Sequence, residues 1–430
     1  MNREFELNED FALQLDKDDP LASFRGRFFI PDNTIYFDGN SLGLMSRDAE
    51  ESLKRAANEW RTKGIDGWLD AKQPWFYFAE ELGAQTAALV GAEKDEVSAA
   101  ASTTVNIHSL ISSFYNPAGK RKKILADALN FPSDIYALKG QVKLKGLNPE
   151  EDLVLVQSRD GRTLAEEDIA AAMSEEIAVA LLPSVLYRSG QLLDMEYLTK
   201  KAHEKGILIG FDCCHSVGAI PHKFDEWGVD FALWCSYKYM NGGPGSPAFL
   251  YVNRKHFDKE PLLAGWFGSD KSKQFAMELE FVSAESAGAW QISTPVILGL
   301  APVEGALKIF REAGMERIRA KSLHMTDYLI FLVENLLSRP PYNFGIAAPR
   351  EAKRRGGHVA ICREEEAWSI CRALKAAGVI PDFRPPDIVR LAPAALYNTF
   401  HEIWRAVHIL KDIIDNEKYL EFKDKKSQVT

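Results

Sequence analysis

Between about residues 120 and 255, short apolar runs alternate with stretches whose apolar residues recur every three or four positions. The runs are Lys123–Ala126, Leu153–Val156, Ile177–Pro183, Ile207–Asp212, Val229–Trp234 and Ala248–Val252. Leu164–Met173 and Tyr197–Lys205 carry the helical period between them. Several runs are continuous rather than alternating, which suits strands covered on both faces. The pattern predicts an α/β fold with a mainly parallel, doubly wound sheet. After residue 300 the pattern changes. Residues 301–338 read as one long helix, followed by a strand at His358–Cys362, a helix near Glu365–Ala377, a strand at Ile388–Leu391 and a last helix from about 399. This predicts a smaller α+β domain, with Arg339–Gly357 as an exposed connection inside it. The expected organisation is an N-terminal arm over 1–50, a large domain over 51–300 and a small C-terminal domain over 301–430, whose KDKKSQVT tail frays.

Composition narrows the function classes. The 430 residues are 46% hydrophobic and 26% charged, as in an ordinary globular protein. A net charge of −9 offers no electrostatic footprint for nucleic acid or anionic lipid. The basic runs at 120–123 and 353–355 read as solvated loops. No run of about 18 apolar residues exists to span a bilayer. Five cysteines and a polar start, MNREFELNED, point to the reducing cytoplasm. No C-x-x-C pair exists, so no structural zinc is expected, and no metal site at all.

Gly39-Asn40-Ser41-Leu42-Gly43 matches the G-x-S-x-G pattern of a hydrolase elbow. An elbow follows several sheet strands, whereas here almost no chain precedes it, so a turn that presents backbone and Ser41 to a ligand is the better reading. The strongest constellation lies between 207 and 246. One strand ends in Asp212, at the carboxyl edge where α/β sheets bind ligands, and Cys213-Cys214-His215-Ser216 follows. A second strand leads into Ser236-Tyr237-Lys238-Tyr239-Met240-Asn241-Gly242-Gly243. A lysine after a buried strand, with glycines that admit a ligand to the backbone, suits a Schiff base.

Pyridoxal phosphate asks a protein for a lysine at its aldehyde, an acid at its pyridinium nitrogen and donors at its phosphate. Lys238 and Asp212 meet the first two requirements. Ser102-Thr103-Thr104, opening an amphipathic helix, meets the third. Taken singly these are also a solvated lysine, a strand-end cap and an ordinary helix cap. Their order on an α/β pattern favours the cofactor. His215 stands three residues after the acid, and Phe131-Pro132-Ser133-Asp134 offers an aromatic face and a second carboxyl. No G-x-G-x-x-G opens a helix after a strand, and no Walker loop appears.

The segments YFDGNSLGL (36–44), STTVN (102–106), FPSD (131–134), FDCCHSVG (211–218), WCSYKYMNGGPG (234–245), GWFG (265–268) and VRLAPAALYN (389–398) together resemble the kynureninase family. The resemblance spans nearly the whole chain and is closest to bacterial members. The Asp-x-x-His and Ser-x-Lys elements are shared with class V aminotransferases and cysteine desulfurases, whereas GNSLG, FPSD and SYKY are more specific. It implies a fold type I homodimer with active sites at the subunit interface, acting on L-kynurenine. In that reading Lys238 carries pyridoxal 5'-phosphate, Asp212 pairs with its ring nitrogen, and Asp134, Phe131 and His215 surround the ring. Thr103, Thr104, Tyr237, Trp266 and Thr294 hold the phosphate end, some from the partner subunit. Arg390 grips the substrate carboxylate, and Ser41 and Trp68 contact the substrate. Many members carry a small polar residue where Pro183 stands, so Ser184 is a candidate to replace the lost hydroxyl.

The implied reaction is hydrolysis of L-kynurenine to anthranilate and L-alanine, with Lys238 as base and Tyr237 as the acid toward Cβ. Animal-type members tend to carry His and Asn where Trp68 and Thr294 stand, which implies a preference here for kynurenine over 3-hydroxykynurenine. The alternatives are another class V enzyme or a catalytically silent binding protein on the same fold. A desulfurase needs a cysteine on a mobile C-terminal loop, and residues 339–357 have none. A silent protein has no chemical need for Lys238 or Asp212.

Overall fold

The computed structural model describes residues 4–423; the frayed tail expected at the C-terminus lies, from residue 424 on, outside the described residues. A short strand, β1 (Ile35–Tyr36), precedes the turn at 39–43. The large sheet contains β2 (Val97–Ala100), β3 (Lys123–Asp127), β4 (Leu153–Val156), β5 (Ile177–Pro183), β6 (Leu208–Asp212), β7 (Phe231–Trp234) and β8 (Ala248–Val252). Their order is β2-β8-β7-β6-β5-β3-β4. The run from β4 to β7 is parallel, and β8 and β2 join antiparallel at one edge. The sheet is therefore mainly parallel, as the continuous apolar runs require. β2 was not legible, because Val-Ser-Ala-Ala is too short and too small to announce a strand, although all four residues are buried.

The long helix expected over 301–338 is two helices, Ile297–Ala313 and Met315–Leu336. Gly314, at φ +77°, breaks them apart in a conformation that an L side chain rarely adopts. The first packs on helix Arg47–Lys63 so closely that a Cβ on Gly305 would overlap the Asp48 carbonyl. It joins the core beneath the large sheet, while the second runs into a separate core.

That second core lies under a four-stranded antiparallel sheet of β9 (Gly345–Ile346), β10 (Val359–Cys362), β12 (Asp382–Arg384) and β13 (Ile388–Leu391), ordered β12-β13-β10-β9; β11 (Val379–Ile380) pairs instead with β1. β9 falls inside the stretch read as an exposed connection. Side chains alternate across this sheet. Val359, Ile361, Phe383, Val389 and Leu391 face the apolar core. Asp382, Arg384 and Arg390 project from the opposite face. Helix Glu9–Lys17 packs in the same core, and Asp16 accepts the Phe400 and His401 backbone N–H groups at 2.6 and 3.0 Å, capping the last helix, Phe400–Asp415. No helix among the described residues is long and apolar enough to cross a membrane.

A buried carboxyl couples this fold to pH. Glu96, just before β2, accepts the backbone N–H groups of Glu93 and Arg254 at 2.9 and 2.7 Å. Burial, then the neighbouring Asp225, push its pKa from 4.5 up to about 7. The folded state thus holds a proton that the unfolded chain has released, and this stabilisation, full below about pH 4.5, is lost as pH rises through about 7. Melting temperatures of wild type and Glu96→Gln at pH 5 and pH 8 test this: the variant is expected to gain on the wild type at pH 8, and an equal difference at both would contradict it.

Candidate active site

At the carboxyl edge of the large sheet, adjacent parallel strands end in Pro183 and Asp212, which pair directly. The Asp212 carboxylate accepts the Cys214 N–H at 2.7 Å, which fixes its orientation. Asp134, in the first turn of helix Pro132–Leu144, lies beside it, and its carboxyl is held well above the usual range by burial and by the Asp212 charge. One oxygen of Asp134 is buried without a partner.

Lys238 follows β7 in a loop whose shape depends on the turn at 39–43. The Gly43 N–H donates to the Tyr237 carbonyl at 2.8 Å, and a Cβ on Gly43 would collide with the Lys238 carbonyl oxygen. The glycine thus allows the turn to seat on the lysine loop. Lys238 Nζ donates to His215 Nε2 at 3.0 Å. Burial, and then the Lys238 and Arg390 charges, hold His215 well below the usual imidazole range, so it is neutral and able to accept. Its Nδ1 is buried without a partner. Tyr237 is half-buried, and burial raises its pKa, so its hydroxyl keeps its proton.

Phe131 is 46% exposed, with its ring edge-on to Tyr187 at 5.3 Å, leaving a face free for a planar ligand. Asn130, Phe131, Pro183, Tyr187, Asp212 and His215 line one narrow cleft. Thr103 and Thr104 occupy the first turn of helix Thr103–Phe114, where no side chain caps the free N–H groups, and Thr103 Oγ1 lies 3.8 Å from Cys214 Sγ. Ser184 does not replace the hydroxyl missing at Pro183. Its Oγ donates to the Asp212 carbonyl at 3.0 Å and pairs with Ser216 Oγ at 2.7 Å, inside the protein.

Arg390, 1% exposed, lies across from this edge on the polar face of the small sheet. It is ion-paired with Asp382, donates to Ser41 Oγ at 3.3 Å and to the Tyr187 carbonyl at 2.6 Å. Ser41 donates to Asp382 at 3.0 Å; neither of these partners is a histidine, and so the G-x-S-x-G match is a turn and not a charge relay. Asp382, Arg384 and Asp38 belong to this cluster and escaped sequence reasoning. They meet Arg390 through cross-strand register, which leaves no local spacing signal.

The remaining candidates lie elsewhere in the chain. Trp68, Trp266 and Thr294 line a cavity of about 450 Å³ together with Phe76, Phe267 and Phe275, and none of Lys238, Asp212, Asp134 or His215 lines it. Trp68 packs edge-on against Trp75 at 5.9 Å, while Trp266 is 42% exposed and Thr294 is exposed.

Comparison with known proteins bears on the fold and the family. Residues 318–410 match the family model described as "Kynureninase C-terminal domain". The solved cysteine desulfurase of Thermococcus onnurineus NA1 superposes with a TM-score of 0.76 over 96% of this chain and 99% of its own, at 18% identity. The C-DES K223A variant, solved with glycine covalently linked to its PLP cofactor, superposes at 0.78 over 90% and 99%, at 16% identity. The fold is thus that of the fold type I pyridoxal-phosphate enzymes. Kynureninase of Geobacillus thermodenitrificans is 56% identical over 98% of this chain and 97% of its own length. That of Bacillus thuringiensis subsp. konkukian is 55% identical over 99% of each. With relatives this similar over its whole length, the chain belongs to the kynureninase family.

Proposed function

We propose that this protein hydrolyses L-kynurenine to anthranilate and L-alanine with pyridoxal 5'-phosphate bound at Lys238. The observation that carries the reading is the cluster of half-buried Lys238, buried His215 and the Asp212–Asp134 carboxyl pair at one sheet edge, facing a buried arginine. The orphaned Asp134 oxygen and His215 Nδ1, the free face of Phe131 and the uncapped helix start at Thr103 fit a planar, nitrogen-bearing phosphate ester.

When bound, the cofactor supplies an electrophilic aldehyde and a ring that accepts the electron pair released at Cα. Asp212 keeps a proton on the ring nitrogen, and Asp134, held protonated, avoids a second negative charge beside it. Lys238, with its amine free, would take and hold the Cα proton, and neutral His215, 3.0 Å from Nζ, would steady its ammonium. Arg390 binds the α-carboxylate, with Ser41 beside it. With water added to the γ-carbonyl, the Cβ–Cγ bond would break to release anthranilate, the Tyr237 hydroxyl would give a proton to Cβ and recover one from the carboxylic acid formed, and the Lys238 ammonium would return its proton to Cα, completing L-alanine. Tyr237→Phe is expected to slow turnover by about 10²-fold or more while leaving cofactor affinity near wild type; equal losses in both would remove this role.

The chain reads as an arm over 1–50, a cofactor domain over 51–300 and a small domain over 301–430, active as a homodimer. Supporting the dimer, Leu262, Trp266, Phe275, Met277, Leu279 and Val296 expose a large apolar surface. Trp68, Trp266 and Thr294 on that side complete the partner subunit's site in this reading. The five unpaired cysteines support a cytoplasmic setting. An indole at Trp68 offers a ring hydroxyl only one N–H. With kynurenine and 3-hydroxykynurenine in competition, kynurenine is expected to be preferred by about 10–100-fold. Equal specificity constants would refute the preference, and absence of both anthranilates would refute the reaction.

A further inference from the structure

The polar face of the small sheet holds a group that this mechanism does not use. Asp382, Arg390 and Ala360 lie side by side across β12, β13 and β10. The same register carried one residue further sets His358 beside Ala392, which bridges Asp38 on its other side. His358 therefore shares the face of Arg390, two residues along the strand, with Ala392 between it and Asp38 in the order across the sheet. The His358 side chain is fully buried, its ring centroid is 6.0 Å from that of His215, and neither ring nitrogen makes a well-aligned hydrogen bond, the ring only approaching the Arg188 backbone. Gly190 packs on its edge, where a Cβ would stand 3.1 Å from Nε2. A buried imidazole without a well-formed hydrogen bond is costly and rare unless a ligand or water satisfies it.

The charges around it indicate which ligand. Facing His358 are Arg390 and Arg384 from the small sheet, Lys238 from the loop after β7, the Arg188 backbone and the neutral His215 ring. Arg390, by contrast, is already matched. Asp382 pairs with both it and Arg384, and Asp38 adds a second carboxyl to the same cluster. An arriving carboxylate thus meets an arginine whose charge is spent, beside an imidazole surrounded by cations.

We propose that His358 is a second carboxylate-binding residue, which donates a ring N–H to the substrate α-carboxylate that Arg390 holds. The proposal rests on the assignment of Arg390 given above. Without an anion, burial and the surrounding cations keep His358 neutral, well below the usual imidazole range. The carboxylate reverses that balance, and His358 takes one proton from solvent as the anion binds.

Propionate, a carboxylate without an amine, isolates this step. Its binding to the cofactor-loaded protein is to be measured by calorimetry between pH 6.5 and 8.5, in buffers of different ionisation heat, with displacement by L-alanine. The wild type is expected to take up about one proton per propionate, and affinity to fall about tenfold per pH unit. His358→Gln and His358→Asn are expected to lose this slope and to weaken binding at pH 6.5 by roughly tenfold. Propionate that binds without proton uptake, that fails to bind, or whose slope survives in both variants overturns the proposal; in the last case Asp38 is the proton acceptor. If Arg390→Gln keeps wild-type propionate affinity, the assignment of Arg390 itself falls.

Discussion

Lys238→Ala is expected to abolish anthranilate release, with a loss of at least about 10⁴-fold in turnover. In the proposed reaction two functions would disappear with the one amine: the attachment point of the cofactor, and the base that acts on Cα. The structure leaves no substitute. The nitrogen hydrogen-bonded to it, His215 Nε2, 3.0 Å from Nζ, belongs to a ring that burial and the neighbouring cations keep neutral. With Lys238 gone, His215 loses one of those cations and its hydrogen-bond donor, but gains no path to the aldehyde. The variant should still fold, since Lys238 is half-buried in a loop and the fixed parts of that loop are backbone contacts with Gly43. Circular dichroism unchanged from wild type, with the lysine-bound absorption of the cofactor missing, is the expected signature. Turnover within tenfold of wild type would exclude Lys238 as the cofactor lysine.

Asp212→Asn is the second large effect, expected to lower turnover by about 10²–10³-fold. The ring nitrogen needs a carboxylate to keep its proton, and an amide in the same place cannot supply the charge. Removing one partner of a buried ion pair costs about 3–5 kcal/mol, and each 1.4 kcal/mol is about a tenfold change in rate. Asp134 stands beside it, yet it does not compensate. Its carboxyl is held protonated partly by the charge of Asp212, and burial, the larger cause, remains after the substitution. Steady-state kinetics at saturating cofactor measure the effect. A loss under tenfold would mean that the ring nitrogen does not depend on Asp212.

The fold was legible where its pattern is local. Continuous apolar runs marked β3 to β8 because a strand covered on both faces needs no polar positions. β2 and the break at Gly314 were not, since one is small-residue backbone pairing at a sheet edge and the other turns on a single glycine dihedral. At the site, Lys238, Asp212, His215 and Phe131 were legible because each ends or follows a strand at the carboxyl edge. Asp38, Asp382, Arg384 and His358 were not. Asp382 and Arg384 share β12, but His358 lies 24 residues and Asp38 344 residues before Asp382, and they meet only through the register of the small sheet. The same reason separates Trp68, Trp266 and Thr294 from the lysine cluster, as family resemblance grouped them while the single chain places them around another cavity.

In the proposed reaction this site breaks the Cβ–Cγ bond of kynurenine by adding water. The most direct measurement is to mix cofactor-loaded protein with L-kynurenine and quantify anthranilate by fluorescence and L-alanine by an independent assay in the same samples. Both products are expected in equal amounts, rising together with kynurenine consumed. A cofactor-loaded protein that consumes no kynurenine, or that yields an amino-transfer product in place of anthranilate and alanine, would contradict it.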